Sequence, residues 1–184
     1  MKKLKTLIII VHPNINDSIA NKTWKEELEK YPDNFDIHEL YKNYPDGKID
    51  VVKEQQLLEQ YQNIVFQFPL YWYSSPFLLK KWFDEVFTYG WAYGSNSDKL
   101  KGKNFALAIT LGGSESYYTK ETGSYTLDEV ITPFKAIIKF VQGNYHGYHA
   151  IFSMSHNLSL EELKSNTQKY VAFLNSFNDS DNNW

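Results

Sequence analysis

The sequence predicts an α/β fold, a five-stranded parallel sheet in the order 2-1-3-4-5 with helices on both faces. Three observations point there. Short apolar runs, Leu7 to Val11, Ile64 to Phe68 and Phe105 to Ile109, each stop at a proline or a glycine-containing segment, as strands buried on both faces do. The segments between them carry apolar residues at helical spacing. Strand and helix alternate five times across 184 residues, without an internal repeat or a low-complexity linker. That pattern suits one domain spanning 1–184, and right-handed crossovers leave few topologies for it.

Each element has its own justification. Leu7 to Val11 is β-branched and ends at His12-Pro13, which gives the first strand. Asp17 or Ser18 can cap a helix over about 18–31, with Trp24, Leu28 and Tyr31 on one face. Phe35 to Leu40 alternates weakly and reads as the second strand. Asp50 can cap a helix over 51–61 whose stripe is Val51, Leu58 and Tyr61. The third strand stops at Pro69, and Pro76 suits the first turn of a helix running to about Phe87. The fourth strand, Phe105 to Ile109, ends at Thr110-Leu111-Gly112-Gly113. A helix over about 127–141 then precedes a fifth strand around 147–153. Ser159-Leu160-Glu161-Glu162 spells a capping box, and the helix it opens carries Leu163, Tyr170, Leu174 and Phe177 on one side. The polar end, about 178–184, is expected to fray.

Composition narrows the function. Net charge is −3 with both signs mixed along the chain, so no nucleic-acid partner is expected. There are no cysteines, which excludes disulfides and thiolate chemistry. The start, MKKLKTLIIIV, has an apolar run too short for a signal peptide, and no stretch is long enough to span a bilayer. A cytoplasmic protein is expected. Aromatic residues make up 17% of the chain, and flat rings both fill cores and wall the sites of flat ligands.

Ligands of such sheets bind beyond the carboxyl ends of the strands, which singles out three loops. HPNINDSIAN joins the first strand to a helix start, where free N–H groups and the helix dipole favour an anion. His12, Ser18 and Asn21 add side-chain donors, although Ser18 would equally serve as a plain helix cap. No Walker motif or G-x-G-x-x-G occurs. PLYWYSSP holds Tyr71, Trp72 and Tyr73 between Pro69 and Pro76. These rings could close the core or meet a subunit, but a stiff backbone beside flat side chains also suits a planar heteroaromatic ligand. TLGGSESYY ends a strand with Gly112-Gly113, either a simple turn or a close approach of backbone to ligand. It lacks the G-x-S-x-G of a nucleophile elbow. His146 and His149 have no carboxylate at metal-site spacing, so no metal is expected.

Taken together, FPLYWYSSPFLLKKWFDEVFTYGWAYG, TLGGSESYY and the N-terminal HPN…S.AN resemble the NAD(P)H:quinone oxidoreductases of flavodoxin-like fold. That family includes DT-diaphorase and the ancillary protein of the glutathione-gated potassium-efflux system. The likeness runs from LIIIVHPN almost to the end, and by length this chain is nearest the short bacterial members.

The resemblance implies a flavodoxin-like three-layer sandwich holding a flavin, FMN in preference to FAD, with NADH or NADPH as co-substrate and a quinone or similar acceptor. His12, Ser18, Ile19, Ala20 and Asn21 would hold the phosphate end. Pro69, Leu70, Tyr71 and Trp72 would line the isoalloxazine, while Thr110, Gly112 and Gly113 face its pyrimidine side. Negative charge that develops on that edge during hydride transfer would be stabilised by fixed N–H groups. Tyr118 falls at the family's catalytic tyrosine, and Tyr125 joins it in the substrate pocket. The family's active-site histidine falls near Ser124 or Tyr125, and no histidine occurs from 39 to 145, so a proton relay through it does not carry over.

Alternating use of one site implies ping-pong kinetics. A regulatory subunit bound to a membrane potassium-efflux protein is the alternative function. A simple flavodoxin-type electron carrier is disfavoured by the charge of −3 and by HPNINDSIAN. The helix after Pro76 shows two apolar faces, Leu79, Phe83, Val86 and Phe87 on one, Leu78 and Trp82 on the other. TYGWAYG follows it with three more aromatics. These apolar surfaces ask for a cover, either a second subunit or an aromatic lid folded back on its own domain. The resemblance implies a homodimer in which this region packs against a twin subunit, with Trp91 and Tyr93 at the interface and Tyr93 walling the partner subunit's pocket.

Overall fold

The computed structural model describes residues 5–95, 97–122, 125–155 and 158–177. Five parallel strands, β1 (Thr6–Ile10), β2 (Phe35–Glu39), β3 (Asn63–Pro69), β4 (Asn104–Thr110) and β5 (Asn144–Ile151), lie in the order β2-β1-β3-β4-β5. This is the flavodoxin-like arrangement. The described helices are α1 (Ala20–Leu28), α2 (Leu40–Asn43), α3 (Val51–Glu59), α4 (Phe77–Val86), α5 (Leu127–Val130), α6 (Thr132–Phe140) and α7 (Leu160–Ser176). Single 3-10 turns occur at Ile15–Asp17, Glu115–Tyr118 and Lys120–Thr122. No helix among the described residues is long and apolar enough to cross a membrane.

Alternation along the strands divides the core in two. Leu7, Ile9, Ile64, Phe66, Phe68, Phe105 and Leu107 face the side covered by α3, α4 and α6. Ile8, Ile10, Val65, Ala106 and Ala108 face α1 and α7, where the Trp24 and Tyr170 rings meet at 4.7 Å. The register pairs Pro69 with Thr110, and the Leu70 N–H donates to the Thr110 carbonyl at 2.8 Å. The ends of β3 and β4, and the loops that leave them, are thereby fixed to one another.

Several expectations need correction. The first helix starts at Ala20 and ends at Leu28, leaving Tyr31 outside it and exposed. The helix expected over 127–141 is two helices that meet at Ile131, because Pro133 opens a new first turn. The fifth strand begins at Asn144, three residues early, held by side-chain bonds from Asn144 to Asn104 and from Asn104 to Asn63 at 3.2 and 2.9 Å. A bulge opposite Phe105 and Leu107, with Gly147 at φ 84, absorbs the extra residue. The strand ends at Ile151, before Ser153 turns to φ 62. The 178–184 tail lies outside the described residues.

The two-faced reading of α4 also fails as an argument for a partner. Leu78 and Trp82 are buried within the chain, and the Trp82 indole donates to the buried Glu54 carboxylate of α3 at 2.8 Å. Trp91 and Tyr93 fold back on their own domain. The Trp91 N–H reaches Glu59 at 2.8 Å, and the Tyr93 ring sits 5.3 Å from that of Phe140.

Candidate functional site

The three loops converge on one pocket of about 430 Å³ at the carboxyl ends of β1, β3 and β4. That size suits a cofactor or small ligand. A larger groove of about 940 Å³ runs between β5 and α7, but it is an open channel walled by Glu115, Glu161 and Glu162. The smaller pocket is where donors converge.

At one end stand His12, Ser18, Ile19 and Ala20. The first N–H groups of α1 have no acceptor within the helix, and the Ser18 hydroxyl takes only that of Asn21, at 3.2 Å. Ser18 is thus both a cap and a wall of the pocket. The Asn14 backbone N–H donates to Nδ1 of His12 at 3.1 Å. Nδ1 must therefore carry a lone pair, and the ring proton sits on Nε2. Burial lowers the His12 pKa, so the ring is a neutral donor. Asp17 also lines this end, its carboxylate engaged by the Asn14 side chain.

The middle wall is Pro69, Leu70 and Tyr71. Tyr71 and Ser74 exchange both backbone hydrogen bonds, at 2.8 and 2.9 Å, around Trp72 at φ 48 and Tyr73 at φ 60. This is a tight turn with two left-handed central residues, a conformation that favours Asn and Gly. Aromatic residues held there are strained, and such strain concentrates at functional sites. The turn directs Trp72 outward, 95% exposed, so its ring does not line the pocket. Among the described residues the Trp72 and Tyr73 amides have no acceptor.

The far wall is Thr110, Leu111 and Gly112. The Gly112 and Gly113 amides likewise have no acceptor among the described residues. A Cβ on Gly112 would come within 2.8 Å of the Ser155 hydroxyl, which would have to turn aside. Met154 and Ser155 complete this wall, tied by their N–H groups to the Leu111 and Gly112 carbonyls at 3.0 and 3.2 Å. Neither was expected, since no motif marks the segment after β5. Leu111 and Asp17 were also missed.

The remaining expected residues are not all brought to this pocket. Asn21 turns its side chain inward, 1% exposed, and donates to Thr110 Oγ1 at 2.9 Å. Gly113 lies beside the Tyr117 and Tyr118 rings. Burial raises the Tyr118 pKa, helped by nearby Tyr73, so its phenol keeps its proton as a donor at neutral pH. Tyr125 is 69% exposed and outside the pocket. Ser124, one of the two positions expected in place of the family histidine, lies outside the described residues. No cluster of metal-binding side chains occurs among the described residues.

This donor set fits an anionic tail and a flat head with polar edges, and the fold that carries it is that of the flavin-binding parallel sheets. The model of the Flavodoxin-like fold family matches residues 4–174, and the chain belongs to that family. It is 45% identical over 173 residues to an uncharacterized NAD(P)H oxidoreductase, YrkL, of Bacillus subtilis, covering 93% of this chain and 98% of the relative. It is 37% identical over 171 residues to the glutathione-regulated potassium-efflux system ancillary protein KefG of Cronobacter sakazakii, 92% of each chain. Among solved structures, general stress protein 14 of Treponema denticola in complex with FMN aligns with TM-score 0.87 and 40% identity, over 94% of this chain and 98% of that one. An NADPH-quinone reductase from P. pentosaceus aligns with TM-score 0.83 and 27% identity, over 97% and 100%.

Proposed function

We propose that this protein is an FMN-dependent oxidoreductase that takes hydride from NADH or NADPH and delivers it to a quinone or related electrophile. The observation that carries the reading is the single pocket with a neutral His12 donor and a helix start at one end and unpaired loop amides at the other. The relatives named NAD(P)H oxidoreductase and NADPH-quinone reductase support the activity. The Treponema denticola complex supports FMN over FAD, as does an anion seat suited to a terminal phosphate.

A bound flavin supplies the redox chemistry, in net terms NAD(P)H, a proton and a quinone giving NAD(P)⁺ and a hydroquinone. The chain's own residues do the rest. His12 Nε2–H, the Ser18 hydroxyl and the first turn of α1 would hold the phosphate. Leu70 and Tyr71 form the wall beside the ring, and the stiff turn behind them fixes its position. The amides of Gly112 and Gly113 would offer fixed donors to the polar edge of the ring. Tyr118 holds a proton at its hydroxyl for an acceptor oxygen, in the absence of the family histidine.

Steady-state oxidation of NADH and NADPH with a soluble quinone, by protein reconstituted with FMN, tests this reading. Turnover without any added reductase supports it. Electron transfer only through a separate reductase would make the protein a carrier instead.

The likeness to KefG favours one second reading, a flavin-binding regulatory subunit on a potassium-efflux protein. Co-purification with such a membrane protein would support it. We further propose a homodimer. Phe140 and Tyr89 are largely exposed beside Tyr93, and an apolar groove of about 400 Å³ runs between α4 and α6 at Phe83, Phe87 and Ile137. A second copy would cover this face, and Tyr93 would approach the partner subunit's pocket. Light scattering at micromolar concentration tests it, and a monomer active at full rate would overturn it.

A further inference from the structure

Behind the pocket, four buried polar side chains from four elements form one hydrogen-bonded line. The Tyr170 hydroxyl of α7 meets Gln67 Oε1 of β3 at 3.2 Å. Gln67 Nε2 meets the backbone carbonyl and the Oδ1 of Asn21 on α1 at 3.1 and 3.3 Å. Asn21 Nδ2 meets Thr110 Oγ1 of β4 at 2.9 Å. We propose that Tyr170, Gln67 and Asn21 are positioning residues that fix the Thr110 hydroxyl as a hydrogen-bond donor into the pocket, toward an acceptor atom on the ring of the bound flavin. The inference rests on the flavin reading above.

The direction of every bond in the line is determined. The Asn21 backbone carbonyl can only accept, so the Gln67 amide must turn its NH₂ toward it and its Oε1 toward Tyr170. Tyr170 must then donate. Asn21 Oδ1 faces the same NH₂, so Asn21 presents its own NH₂ to Thr110, and Thr110 Oγ1 must accept. The hydroxyl hydrogen of Thr110 has no acceptor among the described residues, and Thr110 lines the pocket. The donor chain therefore has one open end, and it opens on the ligand.

Retention of this line needs a reason. Gln67 interrupts the otherwise apolar run of β3 and is 0% exposed, among Ile10, Trp24, Val65 and Ala108. Buried polar groups are costly unless fully paired, while an apolar set of similar shape would serve folding about as well. Here the Asn21 carbonyl turns Gln67, Gln67 turns the Asn21 amide and Asn21 turns the Thr110 hydroxyl, while Tyr170 closes the far end and polarises the amide it donates to. A donor held at the ring edge stabilises the electron-rich reduced form more than the oxidised form. The line thus tunes both affinity and potential, from a residue on α7 that touches neither cofactor nor substrate.

A double-mutant cycle on FMN-loaded protein tests this, read as midpoint potential and as FMN dissociation constant by fluorescence titration of apoprotein. Thr110→Val should move the potential to more negative values and weaken FMN, by roughly threefold to tenfold for loss of one hydrogen bond, and Tyr170→Phe should move both in the same direction by less. The double variant should move little beyond Thr110→Val, because both act through one hydroxyl. Thr110→Ser should keep the wild-type potential. If Tyr170→Phe does not fold, Gln67→Met replaces it, with the same expected shift. A Tyr170→Phe protein with unchanged potential and affinity, or strictly additive effects, would overturn the inference. Failure of wild-type apoprotein to take up FMN would instead remove the flavin reading, and this inference with it.

Discussion

The Asn14 backbone N–H donates to Nδ1 of His12 at 3.1 Å, and that one bond decides which ring nitrogen carries the proton. A neutral Nε2–H there is a donor at any pH near neutrality. His12→Ala should therefore weaken FMN binding by roughly tenfold to a hundredfold, the range for one hydrogen bond to a charged group. Riboflavin, which lacks the phosphate, should bind the variant as it binds the wild type. Titration of apoprotein with both ligands checks this, and equal losses for the two would move His12 away from the phosphate.

The strained turn gives a stability prediction of unusual sign. Trp72 holds φ 48 with its ring exposed, so the ring contributes little packing while the backbone carries a cost. Asn adopts that region readily. Trp72→Asn should stabilise the protein by about 0.5–1 kcal/mol in urea unfolding. A loss of stability would show that the indole packs on something in solution.

Three histidines, His12, His146 and His149, have their pKa values lowered chiefly by burial. His149 is the most constrained. Asn166 commits its NH₂ to the Ala150 carbonyl at 2.9 Å, so its Oδ1 must accept from His149 Nε2 and from the Trp24 indole. Lys169 opposes a charge there as well. The unfolded chain binds more protons than the folded one once pH falls below the ordinary value of 6.5, so stability falls with pH from that point. The loss should level off below the folded pKa. His149→Gln should flatten part of the slope in unfolding free energies measured between about pH 7 and 5. A slope unchanged by the substitution would place the titration elsewhere.

The strands and three loops were readable because buried parallel strands need β-branched runs, and prolines and glycines punctuate them. Pro133 was visible too, yet the apolar spacing across 127–141 masked the break it makes. The start of β5 was missed because Asn144 to His146 is polar, and its pairing depends on asparagines of two distant strands. The second face of α4 was misjudged because its cover, Glu54 and the rest of α3, is a long-range contact. Gln67 was the one overlooked signal within reach. A glutamine inside an apolar strand asks for partners, and those partners lead to Thr110.

The burial that keeps Tyr118 protonated, next to Tyr73, frames the kinetics. If donor and acceptor take turns at one site, double-reciprocal plots with a soluble quinone should be parallel. Tyr118→Phe should lower kcat by a few fold, since one hydroxyl is removed, and should leave flavin content intact. Intersecting lines would point to a separate nicotinamide site, and loss of flavin in the variant would reassign Tyr118.

We propose that the pocket between HPNINDSIAN, PLYWYSSP and TLGGSESYY takes FMN. Acid release of the cofactor from freshly purified protein, with chromatographic identification of the flavin, tests it most directly. Freshly purified protein should release FMN at close to one per chain. FAD in the extract would overturn the α1 start as a terminal phosphate seat, and a protein that neither carries nor takes up flavin would overturn the flavin site itself.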